Sequence, residues 1–268
     1  MLKDFTKEKF DIIIQAGQSN AEGNGMGTVL EPYIPDTRVW MMNGPLDKNE
    51  FTIDIAAETV RQNEVVSNFI FSFVRKYVNA GLLPEDRKLL ILHTAVGGTG
   101  FIDGQWKITD IYYLRMMEII RTALALNPEN RLVGLLWHQG ESDSLFKASF
   151  DVHYKHLMTL VRSVREEFKA PNLPFVAADF VHDWRDKNIQ VCTPVIDAIR
   201  AVCKDCGHGA FVETDGLTSN VQQMCKLTPH LSRLAPHLIS QIADDIHFSR
   251  NALYQLGERY FDAFQTLQ

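Results

Sequence analysis

The chain has 268 residues, 46% of them hydrophobic and 22% charged, with a formal net charge of -6 at pH 7 and a pI near 5.8. That length and apolar content suffice for one full core, and the acidic balance leaves no electrostatic footprint for nucleic acid or an anionic membrane. No apolar run approaches the ~18 residues of a transmembrane helix, and the first ten residues lack the apolar middle of a signal peptide, so the expectation is a cytoplasmic protein.

Taken in order, residues 11–17 read Asp-Ile-Ile-Ile-Gln-Ala-Gly. Three consecutive β-branched residues halted by a glycine predict a strand covered on both faces, and ligands gather at the carboxyl ends of such strands. Ser19 stands at that end. A glycine-rich loop follows over 22–27, then a short strand over 38–42. Residues 64–78 carry Val65, Phe69, Phe73 and Val74 at helical spacing, closed by Asn79-Ala80-Gly81. A third strand, 89–93, runs into Gly97-Gly98-Thr99. A buried helix over 111–126 ends at Asn127-Pro128, and a fourth strand, 132–137, leads into His138-Gln139-Gly140-Glu141-Ser142-Asp143.

Residues 150–168 form an amphipathic helix with a solvated charged face, and 175–178 a fifth strand. Residues 193–202 read as a helix capped by Thr193 with Pro194 at its first position, and 210–213 as a short candidate sixth strand. The stretch 218–243 holds Leu227, Leu231, Leu234, Leu238, Ile239 and Ile242 at near-helical spacing, interrupted by Pro229 and Pro236. It predicts one or two short helices. A final helix over 249–267 follows Asp244-Asp245-Ile246-His247. The alternation implies one domain over 1–268, of α/β class: a three-layer α/β/α doubly wound arrangement around a mostly parallel, five-stranded sheet.

The four cysteines lie between Cys192 and Cys225, too few and too clustered for a disulfide scaffold. Cys203-Lys-Asp-Cys206 ends a helix rather than starting one, which opposes a redox role, and without a second such pair a zinc site is not supported. His153 and His156 lack a third ligand, so no metal is expected.

A serine at the first strand end, Gly-Gly-Thr at the third, His-Gln-Gly-Glu at the fourth and Asp-x-x-His near the C-terminus would converge on one sheet edge. In these blocks, Gly17-Gln18-Ser19-Asn20, Gly97-Gly98-Thr99, His138-Gln139-Gly140-Glu141 and Asp244 to His247, the chain resembles the SGNH-hydrolase superfamily. The similarity, over residues 11–260, is to the branch of acetyl xylan esterases and sialate O-acetylesterase-like carbohydrate esterases. It implies a flavodoxin-like fold and a 218–243 segment longer than the corresponding connection in relatives. It also implies hydrolysis of acetyl esters on carbohydrate hydroxyls through an acyl-enzyme, without a cofactor. Acetylated xylo-oligosaccharides and O-acetyl sialic acids are the leading substrates.

The chemistry of the residues agrees. A serine hydroxyl needs a base, and the base a carboxylate that fixes its tautomer. The expected triad is Ser19, His247 and Asp244, with Asp245 read as a cap. The resemblance implies oxyanion donors at the Ser19 amide, a glycine amide of Gly97-Gly98 with Gly98 favoured, and the Gln139 side chain. Glu141 and Asn20 are read as braces of the loops, with Gly97 beside them. The expected partner is a small acetylated carbohydrate; a homo-oligomer is left open. The rival reading, a non-catalytic carbohydrate-binding protein on the same fold, is opposed by the intact Ser19, Asp244 and His247. A nucleotide-binding domain is opposed by the absence of G-x-G-x-x-G after the first strand and of G-x-x-x-x-G-K-[ST].

Overall fold

Every residue of the first strand, β1 (Phe10–Gly17), is buried. Its side chains alternate between two apolar layers: Phe10, Ile12, Ile14 and Ala16 enter one, Ile13 the other. A strand buried on both faces must lie inside a sheet with helices above and below. In the computed structural model, which describes residues 4–44, 51–61, 64–234, 239 and 243–268, that is its place.

The chain runs from β1 through a single turn, α1 (Ser19–Glu22), to β2 (Val39–Asn43), β3 (Thr52–Ile55), and a hairpin of β4 (Thr59–Arg61) and β5 (Glu64–Val66). It continues with α2 (Ile70–Asn79), β6 (Lys88–His93), α3 (Ile111–Ala125), β7 (Arg131–His138), α4 (Glu141–Leu145), α5 (Phe150–Glu167) and β8 (Phe175–Ala178). Then come α6 (His182–Lys187), α7 (Ile189–Asp205), β9 (Gly209–Val212), α8 (Asn220–Leu227), α9 (Pro229–Leu234) and the closing helix α10 (Arg250–Gln265).

The main sheet has the order β3-β2-β6-β1-β7-β8-β9, parallel except for β3. It has seven strands rather than the five expected. Residues 209–212 are a full member, and β3 is an antiparallel edge strand of four residues, one of them buried, too short a pattern to be read from sequence. Helices α3, α5 and α7 cover one face and α2 and α10 the other. From β1 the chain goes outward to β2, returns to β6 on one side of β1, then crosses to β7 on its other side. The switch point therefore lies at the carboxyl end of β1, where open α/β sheets bind ligands. At the opposite end the wholly buried Asp11 accepts Arg87 Nε at 2.6 Å and Arg131 Nε at 2.7 Å, which satisfies a charge that could not otherwise be buried.

Two helix starts differ from the expectation. Helix α2 begins at Ile70, not Glu64: Val65 and Val66 suit an extended strand, and Asn68 Oδ1 accepts the Ile70 amide at 2.9 Å, nucleating the helix there. Helix α7 begins at Ile189, not Thr193. The Thr193 hydroxyl donates to Ile189 O at 2.7 Å from within the helix, and Pro194 occupies its interior. Among its described residues stretch 218–243 contains the short helices α8 and α9; Pro236, Leu238 and Ile242 lie outside the described residues. Among the described residues no helix is long and apolar enough to cross a membrane.

Candidate active site

The turn that carries Ser19 depends on Gly17. It ends β1 at φ +130°, and a Cβ there would stand 2.0 Å from His138 O, the acceptor of the Gln18 amide at 2.9 Å. That close approach joins the ends of β1 and β7 and turns the chain into α1, of which Ser19 is the first residue. Ser19 is 8% exposed. Among the described residues its amide donates to no protein acceptor, as the geometry of a helix start requires.

His247 and Asp244 are joined twice. His247 Nδ1 lies 2.9 Å from Asp244 Oδ1, and the His247 amide donates to the same oxygen at 2.8 Å. Burial by itself would raise the Asp244 carboxyl; the His247 ring and amide and the Asn220 side chain outweigh it and hold the group below its ordinary value. An ionised carboxylate accepts only, so Nδ1 carries the hydrogen and Nε2 is left as a proton acceptor. Asp245 is not a cap: its Oδ2 accepts Lys187 Nζ at 2.7 Å, while Lys187 also meets Asp183 at 3.0 Å. The cap of α10 is Ser249, whose Oγ accepts the Ala252 amide at 3.2 Å.

Asn20, next to Ser19 in the chain, reaches the segment that carries His247. Its Nδ2 donates to Ile246 O at 3.2 Å and its Oδ1 accepts the Phe248 amide at 3.0 Å, so one carboxamide grips the chain on both sides of His247. The second Nδ2 hydrogen goes to Glu141 Oε1 at 2.8 Å. Glu141 is wholly buried; burial pushes its carboxyl up, but His138, its own amide and Asn20 together leave it below the ordinary value. His138 is fixed in turn, because Tyr260 Oη donates to Trp137 O at 2.7 Å and must accept His138 Nδ1–H at 3.1 Å. The first turn of α8 adds two supports from behind: the amides of Asn220 and Val221 donate to His247 O and Asp244 O, each at 3.0 Å.

Across from these lies the Gly97-Gly98-Thr99 turn. A Cβ on Gly97 would stand 3.6 Å from Ser19 Cβ and 2.7 Å from Glu22 Oε2, so the turn lies against the nucleophile. The Gly97 amide is taken by Glu22 Oε2 at 3.0 Å. Gly98, at φ +70°, donates its amide to nothing among the described residues. Gln139 is almost wholly buried, and its Nε2 gives its hydrogens to Asp143 Oδ2 at 2.9 Å and Thr99 O at 3.2 Å. Both neighbours are acceptors, so the amide cannot be turned the other way.

Ser19, Asn20, Glu22, Gly97, Glu141, Asp244 and His247 are thus linked through one hydrogen-bonded edge. Sequence reading missed three residues there. Glu22 sits one helical turn after Ser19, a carboxylate that the i, i+3 spacing places near the nucleophile. Asn220 opens α8 behind the capping box of Ser219 and Gln222, a legible N-terminal signature. Asp143 ends the Gly-Glu-Ser-Asp run and accepts from four donors. The cysteines stay apart from all of this. Cys203 and Cys206 lie at the end of α7, and burial pushes the Cys192 thiol up to about 12, the opposite of activation.

Known proteins resemble this chain. Residues 9–266 match the family described as carbohydrate esterase, sialic acid-specific acetylesterase. A curated relative from Escherichia coli (strain K12), named "Probable 9-O-acetyl-N-acetylneuraminic acid deacetylase", is 27% identical over 128 residues. That stretch spans 39% of this chain and only 39% of the relative's length. The crystal structure of NanS superposes with a TM-score of 0.75 at 17% identity, covering 97% of this chain and 98% of that one. A structure from Arabidopsis thaliana gives 0.69, also at 17% identity, covering 96% and 98%. XAC1771, a carbohydrate acetylesterase from Xanthomonas citri, gives 0.61 at 12% identity, covering 96% of this chain and 56% of that one. At such identities the structures show a shared fold, whereas the family match spans nearly the whole chain. By that match the chain belongs to the carbohydrate esterases of the sialic acid-specific acetylesterase family.

Proposed function

We propose that the protein removes acetyl groups from carbohydrate hydroxyls by serine catalysis, with Ser19 as nucleophile, His247 as base and Asp244 as its orienting acid. The observation that carries the reading is the Asp244–His247 pair, 2.9 Å apart, gripped on both flanks by the residue that follows Ser19. His247 Nε2 takes the Ser19 proton as Oγ attacks the acetyl carbonyl, and the carbonyl electrons move to oxygen. The amides of Ser19 and Gly98 stabilise that oxyanion. Gln139 joins them by exchanging its longer bond to Thr99 O for the oxyanion, while Asp143 retains the other hydrogen. Collapse breaks the carbon–oxygen bond to the sugar, whose alkoxide takes the proton from His247. A water then repeats the sequence on the acetyl-serine and releases acetate.

The family description and the name of the Escherichia coli relative support O-acetyl sialic acids as the substrates of this reading, and acetylated xylo-oligosaccharides are its alternative. In this reading residues 218–234, whose start supports Asp244 and His247, line one wall of the sugar pocket. The decisive experiment combines Ser19→Ala with a serine-directed phosphonate. The variant is expected to stay folded and lose nearly all hydrolysis of p-nitrophenyl acetate and 9-O-acetylated sialic acid, and the wild type to gain one adduct at Ser19. Wild-type turnover in Ser19→Ala would overturn the mechanism.

A further inference from the structure

Asp143 and His153 are both wholly buried, and the reaction as written uses neither directly. Asp143 Oδ2 accepts His153 Nδ1 at 3.1 Å, Gln139 Nε2 at 2.9 Å and the Phe101 amide at 3.2 Å, while Oδ1 accepts the Ile102 amide at 2.9 Å. Aromatic rings pack around the pair, and His156 stacks on one of them, Phe101, at 5.7 Å. Phe101 stacks on Trp137 with centroids 5.7 Å apart, and the His153 ring meets Phe101 edge-on at 5.3 Å. His153 Nε2 has no partner among the described residues. Burial raises the Asp143 carboxyl, yet His153, the Ile102 amide and the Gln139 side chain bring it below its ordinary value, so it stands there as an anion.

A buried carboxylate costs stability even when it is hydrogen-bonded, so the core by itself gives little reason for one here. Gln139 gives a reason. Its amide is aimed by two acceptors of unequal strength, a carboxylate at 2.9 Å and a carbonyl at 3.2 Å. The stronger bond fixes the plane of the carboxamide, and the weaker leaves one hydrogen exchangeable. We infer that the buried Asp143–His153 pair is a positioning device for the oxyanion hole. Asp143, held by His153, orients Gln139 so that its second Nε2 hydrogen meets the developing oxyanion. The inference rests on the reading of Gln139 as an oxyanion donor.

Steady-state kinetics of the full-length protein with p-nitrophenyl acetate test both layers separately. Gln139→Ala comes first: kcat should fall by ~10²-fold with KM little changed, and an unchanged kcat would remove the donor itself. Given that fall, Asp143→Asn should lower kcat by ~10- to ~10²-fold at constant KM. In the Gln139→Ala background the same substitution should cost less than half as much on a logarithmic scale, because a residue acting through Gln139 has nothing left to orient. An equal loss in both backgrounds, or a raised KM with unchanged kcat, overturns the positioning role. If Asp143→Asn does not fold, the pair His153→Gln and His153→Phe decides. The glutamine keeps a donor for Asp143 and should retain kcat within about threefold, whereas the phenylalanine should lose about tenfold, and only while Gln139 is present. Equal kcat in the two variants refutes the proposal.

Discussion

The carboxylate of Glu22 accepts the amide of Gly97 at 3.0 Å, joining the helical turn that carries Ser19 to the glycine turn facing it. The bond occupies the Gly97 amide, so in the proposed mechanism Gly98 is the glycine that donates to the oxyanion. Glu22→Ala should therefore lower kcat about tenfold with KM unchanged, since a loosened turn misplaces the donor without touching the sugar. Glu22→Gln, which keeps an acceptor oxygen, should retain most of the activity. Equal losses in the two variants would mean that the charge of Glu22 matters and the Gly97 contact does not.

Asp244 and Asp245 are adjacent but bound to different partners, one to His247 and the other to Lys187. Asp244→Asn is expected to lower kcat by up to ~10⁴, as in other serine triads, because asparagine cannot hold the required tautomer. Asp245→Asn breaks an exposed ion pair and should change the rate little. Measuring kcat for both settles which residue is the acid, and a larger effect at Asp245 would reverse the assignment.

Removing the Asn20 carboxamide would strand three buried or half-buried groups: Glu141 Oε1, Ile246 O and the Phe248 amide. Each such group costs about 1–3 kcal/mol, so Asn20→Ala should lower stability by several kcal/mol and the activity with it. Urea unfolding measures the first effect. A stable Asn20→Ala with full turnover would show that the grip on His247 is dispensable.

Three carboxylates, Glu141, Asp143 and Asp244, have folded-state values below their ordinary 4.5, 3.8 and 3.8. The unfolded chain binds protons there first, so the stability these groups contribute is complete above the ordinary values and is lost as pH falls through the folded ones. The urea midpoint should hold between pH 7 and ~5 and drop below it. For Asp244→Asn the difference from wild type should narrow below pH 3.8, as the wild type loses what the variant never had. A gap unchanged down to pH 2 contradicts this assignment.

The segment after Ser219 has two parts with different duties. Residues 219–222 carry the capping box and the amides that support Asp244 and His247, whereas 223–234 follow as the rest of α8 and α9. Replacing residues 223–234 with a short Gly-Ser bridge, and keeping 218–222, should leave p-nitrophenyl acetate hydrolysis largely intact and change discrimination among acetylated sugars. Unchanged sugar preferences would leave this stretch out of the pocket. Extending the replacement to Asn220 should abolish activity toward every ester.

By itself the sequence determined the order of strands and helices and the residues at their ends, because both are written in local pattern. Ile12 to Ile14 halted by Gly17, the run after Trp137 and the Ser249 start of the last helix each follow from period, β-branching and turn chemistry within a few neighbours. Tertiary structure decided what joins residues distant in the chain. Nothing local says that Asn20 spans 228 positions to the Phe248 amide, that Glu22 takes Gly97 rather than Gly98, or that Asp143 accepts the amides of Phe101 and Ile102. The edge strand β3 and the true start of α2 belong with these, since a neighbouring strand and the Asn68 side chain outweighed their weak propensity. A side chain in a packed site is oriented by every donor and acceptor that surrounds it, and those come together only when the sheet has formed.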